Sequence, residues 1–144
     1  MLLKYYEEQD RKDDALKQAE ALMDLEEHDH DNARLLIDRF ALERRWEDLV
    51  RVAPRVLAIT PMEAFVHQEY GRALVNLGKP KEAIFELESA LIAGVRRPPA
   101  IRALLARQYL AVGDKAKAKA AAQQALKVDP KNAEAQEVLK KLGP

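Results

Sequence analysis

The amino-acid sequence predicts an all-α chain built of antiparallel helix pairs set side by side. Three observations predict it. Apolar residues recur at intervals of three and four along the chain, and no strand-like alternation competes with them. Five glycines and seven prolines fall mostly at intervals between those stretches, where they stop and start helices. The stretches also repeat: Gly78 and Gly113, Ala83 and Ala118, Leu87 and Ala122, and Ala90 and Ala125 are each separated by 35 residues.

Leu2, Leu3 and Tyr6 form an N-terminal stub, and Ala15, Ala19 and Leu22 mark one side of the helix expected after it. Asp29 or Asp31 is the expected cap of the next helix, whose first apolar turn is Ala33-Arg34-Leu35-Leu36. Trp46 starts its partner, where its ring is expected to fill space between helix pairs. Pro54 lies inside that partner; it has no N–H to give the Val50 carbonyl and is expected to kink the helix. Thr60-Pro61-Met62-Glu63 reads as a capping box, so a helix is expected to start there, with Val66, Tyr70, Ala73, Leu74 and Leu77 on one face until Gly78. Pro80 opens the following helix, which carries Ala83, Ile84, Leu87, Ala90 and Leu91 and stops at Gly94.

Pro98-Pro99 opens a helix with Leu105, Ala106, Tyr109 and Leu110 that stops at Gly113, and Asp114 caps its partner, which ends before Asp129-Pro130. From Ala133 to Leu142 a final helix can cover the preceding pair with Ala135, Val138, Leu139 and Leu142. Its Glu134, Glu137, Lys140 and Lys141 face water. Stepping back 34 residues from the clear copies, Ala83 maps to Leu49, Leu87 to Ala53 and Leu74 to Phe40, a weaker copy of the same unit.

Composition narrows the function. The 144 residues hold 24 Lys plus Arg against 24 Asp plus Glu, which argues against a chain whose main task is holding phosphate backbones. Nucleic acid is not an expected partner. With no cysteine there is no disulfide, thiolate zinc site or thiol nucleophile, and Ser89 and Thr60 are the sole Ser and Thr. The longest apolar stretches, such as Ala90-Leu91-Ile92-Ala93, are far short of the roughly 20 residues that cross a bilayer. The N-terminus lacks the basic start and apolar core of a secretory signal. These features favour a soluble chain in the cytoplasm, with the periplasm left open. A glycine-rich phosphate loop, a nucleophile with its base and an isolated carboxylate pair are all missing, so neither catalysis nor a cofactor is expected.

A period of 34 to 35 with two helices per unit resembles the tetratricopeptide repeat, and the resemblance covers nearly the whole chain. Tyr70-Gly71-x2-Leu74 and Ala83-x3-Leu87 stand for its motifs in one unit. Leu105-Ala106-x2-Tyr109, Ala118-x3-Ala122 and Pro130 do so in the next. Gly71 and Ala106 are nearly without side chains, which lets the paired helix come close. His67 and Arg102 replace the family's tryptophan, and Ile37 and Leu49 stand where two small residues should meet, which predicts a wider spacing there. The resemblance implies an α-solenoid with a partial first repeat over about 1–29, a degenerate second repeat over 30–63, a third over 64–98, a fourth over 99–132 and a capping helix over 133–144. Because the first repeat starts mid-pattern, its outer face is expected to be covered by upstream residues or a second copy.

In such solenoids the first helices of successive pairs line a concave groove that holds peptide segments. By position, the inward side chains are expected to be Arg34 and Asp38, then Phe65, Gln68, Arg72 and Asn76, then Arg107. Arg72 and Arg107 are equivalent, and a repeated guanidinium near an aromatic ring suits peptide carboxylates or carbonyls. Their plainer reading is as solvated arginines that pair with Asp38 or Glu69. Some relatives clamp the acidic tail of heat-shock chaperones, but here Asp38, Ala100 and Leu104 replace the clamp's asparagine and its last two cations, so that role is not expected.

Glu26-Glu27-His28-Asp29-His30-Asp31 is the one stretch with metal-ligand chemistry. The capping duty of Asp29 or Asp31 competes with that use, and no metal is expected. His67 lacks the HExxH spacing of zinc proteases and reads as a packing histidine, and Lys115, Lys117 and Lys119 read as a wet face. The function these residues imply is a non-catalytic scaffold that holds a peptide or protein segment. The alternatives are a structural or oligomerisation spacer, and the C-terminal tail of a larger protein whose activity lies upstream.

Overall fold

A computed structural model describes Lys17 and residues 30–143. The described residues hold seven helices and no strand: α1 (His30–Leu42), α2 (Trp46–Ile59), α3 (Ala64–Asn76), α4 (Pro80–Ala93), α5 (Pro98–Ala111), α6 (Lys115–Val128) and α7 (Ala133–Leu142). They fall into two compact units that divide after Pro61. The expected N-terminal stub and the helix of Ala15, Ala19 and Leu22 lie outside the described residues.

The N-terminal unit contributes the pair α1–α2, with Leu36, Ile37, Phe40, Leu49, Val52 and Ala53 fully buried. The α1 and α2 backbones approach closely at fewer places than those of α3 and α4. Pro54 sits inside α2, which runs as one helix of 14 residues. Asp31 lies within α1 rather than before it, so it is not that helix's cap. In α2, burial opposes ionisation of Asp48, but hydrogen bonds from Arg51 and Arg45 outweigh it and hold the carboxyl below its usual range.

In the C-terminal unit α3 packs on α4, α4 on α5, α5 on α6, and α7 on both α5 and α6. This is a stacked array of helix pairs with a terminal helix. Leu87, Ile101 and Leu105 join the two pairs, and an alanine-rich cluster of Ala103, Ala106, Ala118, Ala122 and Ala125 takes in Ala135 and Val138 of α7. Gly71 is buried where α3 meets α4, and a Cβ there would lie 2.7 Å from Cγ and Cδ2 of Leu87.

One turn joins the helices of all three pairs. The N–H of Lys79 donates to the Leu74 carbonyl (2.9 Å) and that of Gly78 to Val75 (3.1 Å); Asp114 to Tyr109 and Gly113 to Leu110 repeat the two bonds at 2.9 and 3.1 Å. This Schellman arrangement satisfies carbonyls left free at the helix end and needs a left-handed residue, which Gly78 (φ 71°) and Gly113 (φ 84°) supply. In the α1–α2 pair the same bonds run from Arg45 to Phe40 and Arg44 to Ala41, so Arg44, with a Cβ, adopts φ 55°.

Several helix starts match local chemistry. Pro80 and Pro98 occupy first helical positions, and an Asp114 carboxylate oxygen accepts from the Lys117 N–H at 3.1 Å. The expected capping box at Thr60 does not form. Thr60 instead closes α2, where its hydroxyl donates to the Val56 carbonyl at 3.1 Å, and α3 starts at Ala64 after a turn at Pro61 and Met62.

Candidate functional site

Helical geometry places Gln68, Arg72 and Asn76 on one stripe of α3, because residues four apart stack on the same face. Phe65 lies one turn before them and is half-buried, and Arg72 and Asn76 are exposed. Asn76 donates from Nδ2 to the Arg72 carbonyl at 2.9 Å, which spends that amide on its own helix end. Glu69 is buried beside the stripe; one of its oxygens accepts from Gln68 Nε2 at 3.2 Å and lies 3.5 Å from Arg72 Nη1. The stripe therefore carries a half-exposed guanidinium oriented by a buried carboxylate.

Arg107 holds the equivalent position on α5. Its Nη1 donates to a carboxylate oxygen of Glu134 at 2.7 Å, across to the start of α7. Both side chains stay well exposed (47% and 39%), so water competes for the pair and its net worth is roughly 0–1 kcal/mol. A ligand carboxylate can displace such a partner at little cost. Arg34 and Asp38 are exposed on α1 of the other unit. Of the chaperone-clamp positions, Ala100 is exposed and Leu104 half-buried on α5.

Sequence reasoning missed a second arrangement, on the side of α4 and α6 away from the arginines. Nδ1 of His67 lies 2.7 Å from Oε2 of Glu86, and both side chains are about nine-tenths buried between α3 and α4. Burial, then the charges of Glu86 and Glu82, push the Tyr70 phenol above its ordinary pKa. In the next pair the Tyr109 hydroxyl donates to Glu88 of α4, and Lys117 Nζ lies 5.8 Å above the Tyr109 ring. Burial, the bond to Glu88 and the charges of Glu88 and Asp114 raise the Tyr109 pKa strongly. Glu88, Tyr109 and Lys117, with Arg102, border an open groove of about 450 Å³ between α4, α5 and α6. One signal was legible: at a spacing of 35, Arg102 replaces His67 and Ala121 replaces Glu86.

Among the described residues no group of three His, Asp or Glu side chains could hold a metal ion, and no helix is long and apolar enough to cross a membrane. Glu26 to Asp29 of the metal-ligand stretch lie outside the described residues.

Residues 99–142 match the tetratricopeptide repeat family model. No curated protein matches the sequence. Among solved structures, the chain is similar to MamA at 13% identity and a TM-score of 0.83, covering 99% of this chain and 82% of that one. It is also similar to YrrB, described as a TPR protein with an unusual peptide-binding site, at 16% identity and a TM-score of 0.73, covering 86% of this chain and 63% of that one. A third is the first TPR of Spaghetti (RPAP3) bound to the HSP90 peptide SRMEEVD, at 15% identity and a TM-score of 0.67, covering 76% and 86%. At these identities the likeness is one of fold: an all-α solenoid of tetratricopeptide type.

Proposed function

We propose that this chain, whose residues 99–142 match the tetratricopeptide repeat family model and whose fold is of that type, is a non-catalytic scaffold whose first helices hold a peptide or protein segment. The observation that carries the reading is the repeat of an exposed guanidinium at one register position, Arg72 on α3 and Arg107 on α5, each leaning on a single carboxylate. A guanidinium of that kind offers a planar fork to a peptide carboxylate or carbonyl, and Phe65 offers a half-buried ring one turn away. The peptide-binding descriptions of YrrB and the RPAP3 domain support the same reading. The proposed repeats are 30–63, 64–98 and 99–132, with a partial one before them and a cap over 133–144. Arg34 and Asp38 on α1 are proposed as binding residues of the N-terminal unit.

The test is a pull-down with the whole chain as bait beside the variant Arg72→Glu/Arg107→Glu. Loss of the captured partner with an unchanged circular dichroism spectrum supports the reading. Capture that survives charge reversal overturns it and favours a spacer that assembles through another face.

A further inference from the structure

The groove between α4, α5 and α6 is a position that the preceding helix pair fills from within. In that pair a residue of the first helix, His67, meets a carboxylate of the second, Glu86. Thirty-five residues on, the first-helix residue is Arg102 and the second-helix residue is Ala121. The nitrogen-bearing side chain has been kept and its carboxylate deleted. Among the described residues no carboxylate lies within ion-pair distance of Arg102, and the space that a longer side chain at position 121 would take is part of the groove.

The rest of the lining completes a recognisable chemistry. Leu91, Ile92 and Leu105 supply apolar wall, and Ile92 is 78% exposed, a large aliphatic side chain left in water. Lys117 adds a second cation, held over the Tyr109 ring. The single carboxylate of the lining, Glu88, is engaged by the Tyr109 hydroxyl. The volume of about 450 Å³ falls in the range of roughly 300–1,000 Å³ typical of ligand clefts and suits a few side chains. On α5, Arg107 points roughly 150° away from Arg102, Leu105 and Tyr109 at about 100° per residue, so this groove is separate from the arginine stripe.

We propose that this groove docks an acidic segment of a partner protein, whose carboxylate pairs with Arg102 in the place that Glu86 takes beside His67, and whose adjacent large apolar side chain covers Ile92. Unpaired cations beside an apolar wall select aspartate or glutamate next to leucine-like residues and disfavour lysine or arginine there. The surface is additional to the proposed peptide stripe on α3 and α5 and does not depend on it.

The test titrates the whole isotope-labelled chain with three blocked hexapeptides that alternate leucine with glutamate, with serine or with lysine, read by methyl NMR. The glutamate peptide should shift the Leu91, Ile92 and Leu105 methyl signals and leave Val66 and Ala73 unmoved. Arg102→Gln should weaken that binding about tenfold, a typical loss for a charged contact in a groove. Ala121→Glu, which restores the internal carboxylate, should weaken it as much. If Ala121→Glu fails to fold, Arg102→Gln alone decides, and Arg72→Glu/Arg107→Glu should bind as the parent does. The proposal is overturned by silence at millimolar glutamate peptide, by equal binding of the lysine peptide, or by affinity that Arg102→Gln leaves unchanged. Concentration-dependent broadening of the same methyl signals without peptide would also overturn it, naming a second copy as the occupant.

Discussion

Nδ1 of His67 lies 2.7 Å from Oε2 of Glu86, and this buried contact joins the two helices of one pair across 19 residues of chain. Removing His67 leaves the buried Glu86 carboxylate without this hydrogen bond, and removing Glu86 takes from His67 its contact across the pair. His67→Leu and Glu86→Leu should each lower stability by about 1–3 kcal/mol in urea unfolding. The double variant should lose less than the sum, with a coupling of about 1–2 kcal/mol, because two apolar side chains can pack where one orphaned polar group cannot. Strictly additive losses would show that the contact contributes nothing.

Gly71→Ala tests close approach rather than polarity. The added Cβ would meet Leu87 at 2.7 Å on two carbons and at 3.3 Å on its backbone nitrogen, so side chain and helix must both give way. Overpacking of this kind costs about 1–3 kcal/mol, measurable as a lower urea midpoint. The next pair meets the same constraint differently, with Ala106 and Ala122, equivalents of Gly71 and Leu87, in one buried cluster.

Arg44→Gly should stabilise the chain. Arg44 holds the left-handed turn position that Gly78 and Gly113 hold in the other pairs, at φ 55°, where a Cβ crowds its own backbone. Relief of that crowding is worth about 1 kcal/mol, partly offset by the greater freedom of glycine in the unfolded chain. A rise in the urea midpoint at unchanged slope is the expected result, and a fall would show that the Arg44 side chain contributes more than its backbone costs.

Alkaline pH should destabilise the chain through Tyr109. Its folded-state pKa is raised, so the neutral phenol is the form that folding favours. That contribution is fully present below the unfolded value of about 10 and is lost as pH rises through and beyond it. Between about pH 9 and 11 the parent should lose stability more steeply than Tyr109→Phe, which has no proton to release. Parallel pH profiles would contradict the assignment.

Much of this was legible in the sequence because helix ends are local events. Gly78, Gly113, Pro80, Pro98 and Asp114 act on their own backbone or on a donor three residues away, and each stands where its chemistry predicts. Thr60 misled for the same local reason: a hydroxyl can accept from a helix that begins after it or donate to one that ends at it, and here it donates back to Val56. The equivalence of Arg72 and Arg107 came from register alone. Their partners, Glu69 three residues away and Glu134 on another helix, differ because pairing depends on which side chains two helices turn toward each other. The groove at Arg102 escaped notice because it is defined by a side chain the repeat no longer supplies.

In the C-terminal unit each helix packs chiefly on the next one or two along the chain. Every such interface closes only a short loop, so each module can form as soon as its neighbour exists and can peel away without dismantling the remainder. Under tension or heat that unit should therefore come apart as an unzipping ladder, with rungs lost from an exposed end inward.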